Sequence, residues 1–134
     1  MKLLEHVVLV QFFLYGGEDL ETGLNTAFLG PNGTGKSAIL DAIQVVMLAA
    51  DGSRTHFNAA GEGKKRARTL RDYCLGAYVP GIKEYARTSA NTYVDLVFRD
   101  TETGIPFTAG VALSARVEDS HHEVEGLYIL PGVA

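Results

Sequence analysis

The chain is 134 residues long, with 46% hydrophobic and 21% charged residues, a balance ordinary for one globular domain with a modest core. Twelve Lys and Arg against 16 Asp and Glu give a net charge of −4, which argues against a general polyanion binder. A lone cysteine, Cys74, excludes an internal disulfide, no Cys/His spacing suits zinc, and without a signal-peptide pattern or membrane-length apolar run the expected location is cytoplasmic.

Residues 6–15 (HVVLVQFFLY) are rich in Val and Phe and predict a strand buried on both faces. Residues 16–23 read as a polar, glycine-punctuated turn, and residues 24–29 (LNTAFL) as a second short strand. Residues 38–50 hold strong helix formers and no breaker. Apart from Ser37, Asp41 and Gln44, which share one stripe at helical spacing, that helix is apolar nearly all round. Residues 51–65 have loop composition. Residues 66–76 predict a short helix with Leu70, Tyr73 and Cys74 inward and its arginines outward. After a loop, residues 92–99 and 105–117 predict a hairpin around a turn at 100–104, and residues 123–130 a third strand. The expected fold class is α/β, a P-loop core with a mixed or antiparallel side sheet whose exposed edges favour self-association.

The segment Gly30-Pro31-Asn32-Gly33-Thr34-Gly35-Lys36-Ser37 fits G-x-x-x-x-G-K-[ST] between a predicted strand and a predicted helix. Gly33 and Gly35 allow backbone conformations that turn successive N–H groups toward phosphates, and the helix that follows aims its positive dipole end at the same place. Lys36 is expected to reach the β- and γ-phosphates of ATP, and the Ser37 hydroxyl to coordinate Mg²⁺.

Other candidates carry less. Asp100 ends an apolar run that Arg99 interrupts, and it reads as a turn residue rather than a metal-holding strand-end acid. Asp41 lies inside the helix after the motif, so it is not that acid either. No glycine pair follows a Leu-Ser, so the signature loop of ABC-type ATPases is absent from these residues. His121 and His122 read as a solvated loop. Phe12, Phe13 and Tyr15 read as strand packing rather than an adenine platform. Arg54, Lys64, Lys65, Arg66, Arg68 and Arg71 are half of the chain's basic residues and face only Glu62 in one 18-residue stretch. They form either a solvated loop and outer helix face, or a set in which Arg66, Arg68 and Arg71 contact DNA phosphates.

The string FLGPNGTGKSAILDAIQVVML resembles the head domain of SMC-type ATPases, which carry G-x-N-G-x-G-K-S before a helix with Leu-Asp-Ala-Ile. His56-Phe57-Asn58-Ala59-Ala60, the basic run, and Arg71-Asp72-Tyr73-Cys74-Leu75-Gly76 are similar to the MukB/MksB-like branch, and within it to the ATPase subunits of Wadjet plasmid-defence systems (the JetC family). The resemblance implies a nucleotide site at Gly30, Asn32, Gly33, Thr34, Gly35, Lys36 and Ser37, and an arginine loop at Arg66 or Arg68 that senses DNA. It implies that this chain is the N-terminal half of a head. The C-terminal half would supply the Walker B acid and signature loop across a coiled-coil arm. Implied partners are that half, a second head that dimerises on ATP, a kleisin-type subunit and DNA, with nucleoid association and no membrane. The chain departs from the family in having only Gln11 and Gln44, neither placed as a Q-loop glutamine. The expected fragment binds ATP without efficient turnover. Two other readings stay open, a complete small P-loop phosphotransferase and a nucleotide-bound, non-hydrolysing interaction module.

Overall fold

Apolar residues at alternate positions build one sheet and turn a single face of it toward two helices. The structure, a computed structural model, describes residues 1–23, 36–51, 69–77 and 84–133, apart from the side chains of Lys36 and Ser37. Its elements are β1 (Lys2–Phe12), β2 (Tyr15–Glu21), α1 (Lys36–Met47), α2 (Leu70–Leu75), β3 (Ser89–Asp100), β4 (Pro106–Arg116) and β5 (Glu123–Pro131). Among the described residues the strands form a five-stranded sheet in the order β2-β1-β3-β4-β5, every neighbouring pair antiparallel.

Register explains which residues meet. Val7 lies opposite Leu96 and Leu9 opposite Val94 across β1 and β3, while Val94 meets Val111 and Thr92 meets Leu113 across β3 and β4. All are buried, so three adjacent strands present one continuous core face. A bulge between Leu4 and His6 shifts the pleat by one residue, which returns Leu4 to the face of Phe98 and the core. The extra residue, Glu5, accepts a hydrogen bond from Arg99 Nε at 2.8 Å.

The β3–β4 hairpin and the third strand after it occur as the sequence predicts, with ends moved by up to three residues. The N-terminal region differs. Residues 16–23 are largely strand, because β2 folds back on β1 through a two-residue turn at Phe13 and Leu14. Glycine and acids suit this strand since among the described residues it lies at an edge of the sheet, paired on one side only. The opposite edge strand, β5, instead exposes Val124, Leu127, Ile129 and Leu130. β1 also differs from expectation. Val7 and Leu9 are buried, but Val8 and Val10 on its other face are only half-buried, because the helices cover one side of the sheet. The predicted strand at residues 24–29 lies outside the described residues, as does most of the predicted loop at 51–65.

α1 stops at Met47, short of the predicted Ala50. Ala49 N donates to Val46 O at 3.1 Å and Ala50 N to Val45 O at 2.8 Å, and both alanines have positive φ, 52° and 58°. This is a Schellman ending built without glycine, so no glycine in the sequence marks it. α2 starts at Leu70 rather than Arg66, because Thr69 caps it: the Thr69 hydroxyl accepts from Asp72 N, and the Asp72 carboxylate accepts from Thr69 N. Leu70, Tyr73 and Cys74 point inward as expected. Burial pushes the Cys74 thiol up to about 11.

Two arginines bind α2 to its neighbours. Arg87 Nη1 donates to Phe13 O at 2.7 Å and to Cys74 O at 3.1 Å, and Nη2 to Tyr15 O at 2.9 Å, so one guanidinium joins the β1–β2 turn to the end of α2. Arg71, expected to point outward, is half-buried. It donates to Asp119 O at 2.8 Å, Val117 O at 2.9 Å and Tyr85 Oη at 2.9 Å, anchoring the β4–β5 connection. Gly76 closes α2 at φ 71°, and an added Cβ would lie 2.7 Å from Phe13 O and 2.9 Å from Ala86 Cβ. Gly76→Ala is therefore expected to cost more than the roughly 1 kcal/mol of a left-handed alanine alone, read as a lower urea midpoint with unchanged slope. A midpoint equal to wild type would contradict this packing. Native Cys74 is expected to resist thiol reagents at neutral pH and to react once urea unfolds the chain.

Candidate functional site

The P-loop motif lies where α1 begins. Residues Gly30 to Gly35 fall outside the described residues, and so do the side chains of Lys36 and Ser37; what the structure defines is the helix that carries the motif's end. α1 packs against β1, β3 and β4. Ala38, Ile39, Ala42 and Val45 are buried, which fixes the apolar sides of the helix. Its first turn contains no acidic residue, so no side chain there opposes a phosphate at the positive end of the helix dipole. These features fit a nucleotide phosphate, and Ser37 is the residue that would hold its Mg²⁺.

The polar stripe of α1 resolves into distinct environments. Asp41 is 1% exposed, and its carboxylate accepts a hydrogen bond from the Tyr73 hydroxyl. Tyr73 stacks on Phe12 with ring centroids 4.7 Å apart and meets Phe13 edge-on at 6.0 Å. Its carbonyl also accepts from Phe13 N at 2.6 Å. A tyrosine of α2 is thus one polar group facing that stripe. Phe12 and Phe13 are core residues, buried around the same ring, as the sequence predicts.

The Asp41–Tyr73 pair was not foreseen as a pair. Its signal was present: one acid in an otherwise apolar helix, and one tyrosine on the inward side of the next. Among the described residues every buried side-chain nitrogen and oxygen has a hydrogen-bond partner, as buried polar groups require.

Asp100 is the last residue of β3 and opens the β3–β4 turn, one position earlier than a residue of the turn itself. Lys2 Nζ donates to its Oδ2 at 2.5 Å and Glu102 N to its Oδ1 at 2.9 Å. These two bonds, that of Lys2 foremost, hold its carboxyl down at about 2. His121 and His122 lie in the β4–β5 connection; burial, then the neighbouring His121, lower the pKa of His122. Among the described residues no group of three metal-ligating side chains occurs. Arg66 and Arg68 lie outside the described residues. No helix among the described residues is long and apolar enough to cross a membrane.

On the other face of the sheet, the Tyr128 hydroxyl crosses β4 to bond the Asp95 carboxylate on β3. Gly110 makes the crossing possible, since a Cβ there would fall 2.1 Å from Asp95 Oδ1. Burial and the Asp95 bond raise the Tyr128 hydroxyl far above its ordinary range.

Residues 4–64 match the family model of the P-loop containing region of AAA domain. The matched span runs from β1 through the Gly30–Ser37 motif and α1 into the basic stretch. The match supports a P-loop NTPase domain, and with it nucleotide binding. No curated protein matches the chain.

The Asp100 geometry has a pH consequence. Its folded pKa lies below the unfolded value of about 3.9, so the stabilisation is present above that pH and is lost as the pH falls toward about 2. Lys2→Met is expected to raise the Asp100 titration, followed by carboxyl NMR, part of the way toward about 3.9, since the bond from Glu102 N remains. A midpoint that stays near its wild-type value would show that Lys2 is not the cause.

Proposed function

We propose that this chain is the ATP- and Mg²⁺-binding N-terminal lobe of an SMC-like ATPase head that acts on DNA, in loop extrusion, chromosome organisation or plasmid defence. The observation that carries the nucleotide part is the G-x-x-x-x-G-K-S motif running into a helix whose sides are sealed in the core, within a span that matches a P-loop region. The narrower SMC-like part rests on the likeness of residues 28–48 and 56–76 to that family.

In this reading the N–H groups of Gly33, Thr34, Gly35 and Lys36 surround the phosphates, the Lys36 ammonium pairs with the β- and γ-phosphates, and Ser37 holds Mg²⁺. Gly30 and Asn32 shape the loop's entry. A Walker B acid and a signature loop would come from the C-terminal half of the head, and a second head would close over the nucleotide. Arg66 and Arg68 are the proposed DNA contacts. Arg71 gives its guanidinium chiefly to carbonyls of the β4–β5 connection, so its share in DNA binding is the smallest of the three. A kleisin-type subunit and a nucleoid location complete the proposal.

Calorimetric titration of ATP with Mg²⁺ is expected to show one site per chain, without steady phosphate release. Lys36→Ala should weaken that site by roughly tenfold to a hundredfold, the worth of a charge-assisted bond to phosphate. Wild-type and Lys36→Ala proteins that bind alike would remove the nucleotide reading. Sustained ATP hydrolysis by the purified chain would remove the claim that it needs a second half.

A further inference from the structure

Ala38, Ile39, Ala42 and Val45 seat α1 on the sheet and set which side of it faces the core. Apolar contacts are non-directional, so by themselves they tolerate small slips in rotation and height. A buried, hydrogen-bonded carboxylate narrows that tolerance. Rotating Asp41 away from its partners would leave a desolvated acid unsatisfied, at a cost well above that of a few shifted methyl groups.

Tyr73 is suited to hold that carboxylate because it is itself immobile. It is 1% exposed and stacked on Phe12, and its backbone carbonyl is bonded to Phe13 N. Its helix is capped at Thr69 and tied through the Cys74 carbonyl to Arg87. Asp41 lies four residues, one helical turn and about 6 Å of axial rise, from Ser37. Its position therefore transmits to the first turn of α1 with little slack.

Resting on the nucleotide reading above, we infer that Asp41 and Tyr73 are positioning residues for the phosphate site. Their hydrogen bond sets the rotation and axial height at which the α1 N-terminus meets the phosphates. Neither side chain touches the nucleotide. The bond holds the backbone N–H groups of the first turn in the register that phosphate binding needs, where displacements of about 1 Å weaken a site.

The test pairs Mg-ATP calorimetry with urea unfolding for wild type, Tyr73→Phe, Asp41→Asn and the double variant Asp41→Leu/Tyr73→Phe. Tyr73→Phe keeps the ring stack and removes only the hydroxyl, and it is expected to weaken ATP binding roughly fivefold to tenfold. Asp41→Asn keeps an acceptor oxygen and should bind within about twofold of wild type. The double variant replaces both groups of this bond with apolar ones, so its affinity should stay low whichever way its stability moves. That split between stability and affinity is what a merely structural role would not produce.

Tyr73→Phe protein that binds ATP as wild type does would overturn the inference, and so would a double variant whose affinity returns with its stability. If the double variant does not fold, the two single variants decide: affinity losses that simply follow stability losses in both overturn it. Wild-type protein that binds no nucleotide would remove the nucleotide reading and this inference together, whereas wild-type binding with an indifferent Tyr73→Phe removes the inference alone.

Discussion

A carboxylate removed from water must be hydrogen-bonded, and in this chain that requirement falls on Asp41 at the centre of α1. The solution determines much else. Tyr73 of α2 reaches Asp41 from outside the helix and bonds its carboxylate. Tyr73 must then be held, so the β1–β2 turn closes over its ring and Arg87 closes over the turn. The sheet supplies the other wall, where Val7, Leu9, Val94, Leu96, Val111 and Leu113 form an apolar floor beneath both helices. One buried acid thus links every described part of the N-terminal region.

The architecture divides labour between rigidity and chemistry. Five antiparallel strands, with a bulge at Glu5, give the platform on which α1 and α2 sit. The proposed phosphate site adjoins the start of α1, where the motif ends and the helix dipole begins. A P-loop needs little more from its scaffold than a fixed helix end, because phosphate recognition is mainly a matter of aligned backbone N–H groups. Arg71, Arg87 and Arg99 each donate to backbone carbonyls within the fold.

The sequence was informative where periodicity or motif chemistry was strong. The alternation in residues 92–99 and 105–117, with a turn between, defined β3 and β4. The G-x-x-x-x-G-K-S string, with a breaker-free apolar run after it, placed the helix of the candidate site. It was uninformative where local composition and tertiary role disagree. β2 looks like a turn because edge strands tolerate glycine and charge. α1 ends in a Schellman motif on Ala49, where the sequence offers no glycine to announce it. Thr69 and Asp72 did announce the start of α2, as a capping box with aspartate in the place of glutamate, but the arginines before it drew the expected boundary upstream. The sequence marks Asp41 and Tyr73 each as unusual in its own helix, but their partnership spans 32 residues and local patterning does not join them.

The central claim is that α1 presents the Gly30–Ser37 loop to the phosphates of a nucleotide while the sheet stays passive. Amide NMR of ¹⁵N-labelled protein, titrated with Mg-ADP and then with a non-hydrolysable Mg-ATP analogue, tests it most directly. The account predicts that the N–H signals of Gly33, Thr34, Gly35 and Lys36 move most, with smaller shifts along α1 and almost none in β4 and β5. Shifts concentrated on the sheet, or no shifts at saturating nucleotide, would contradict it.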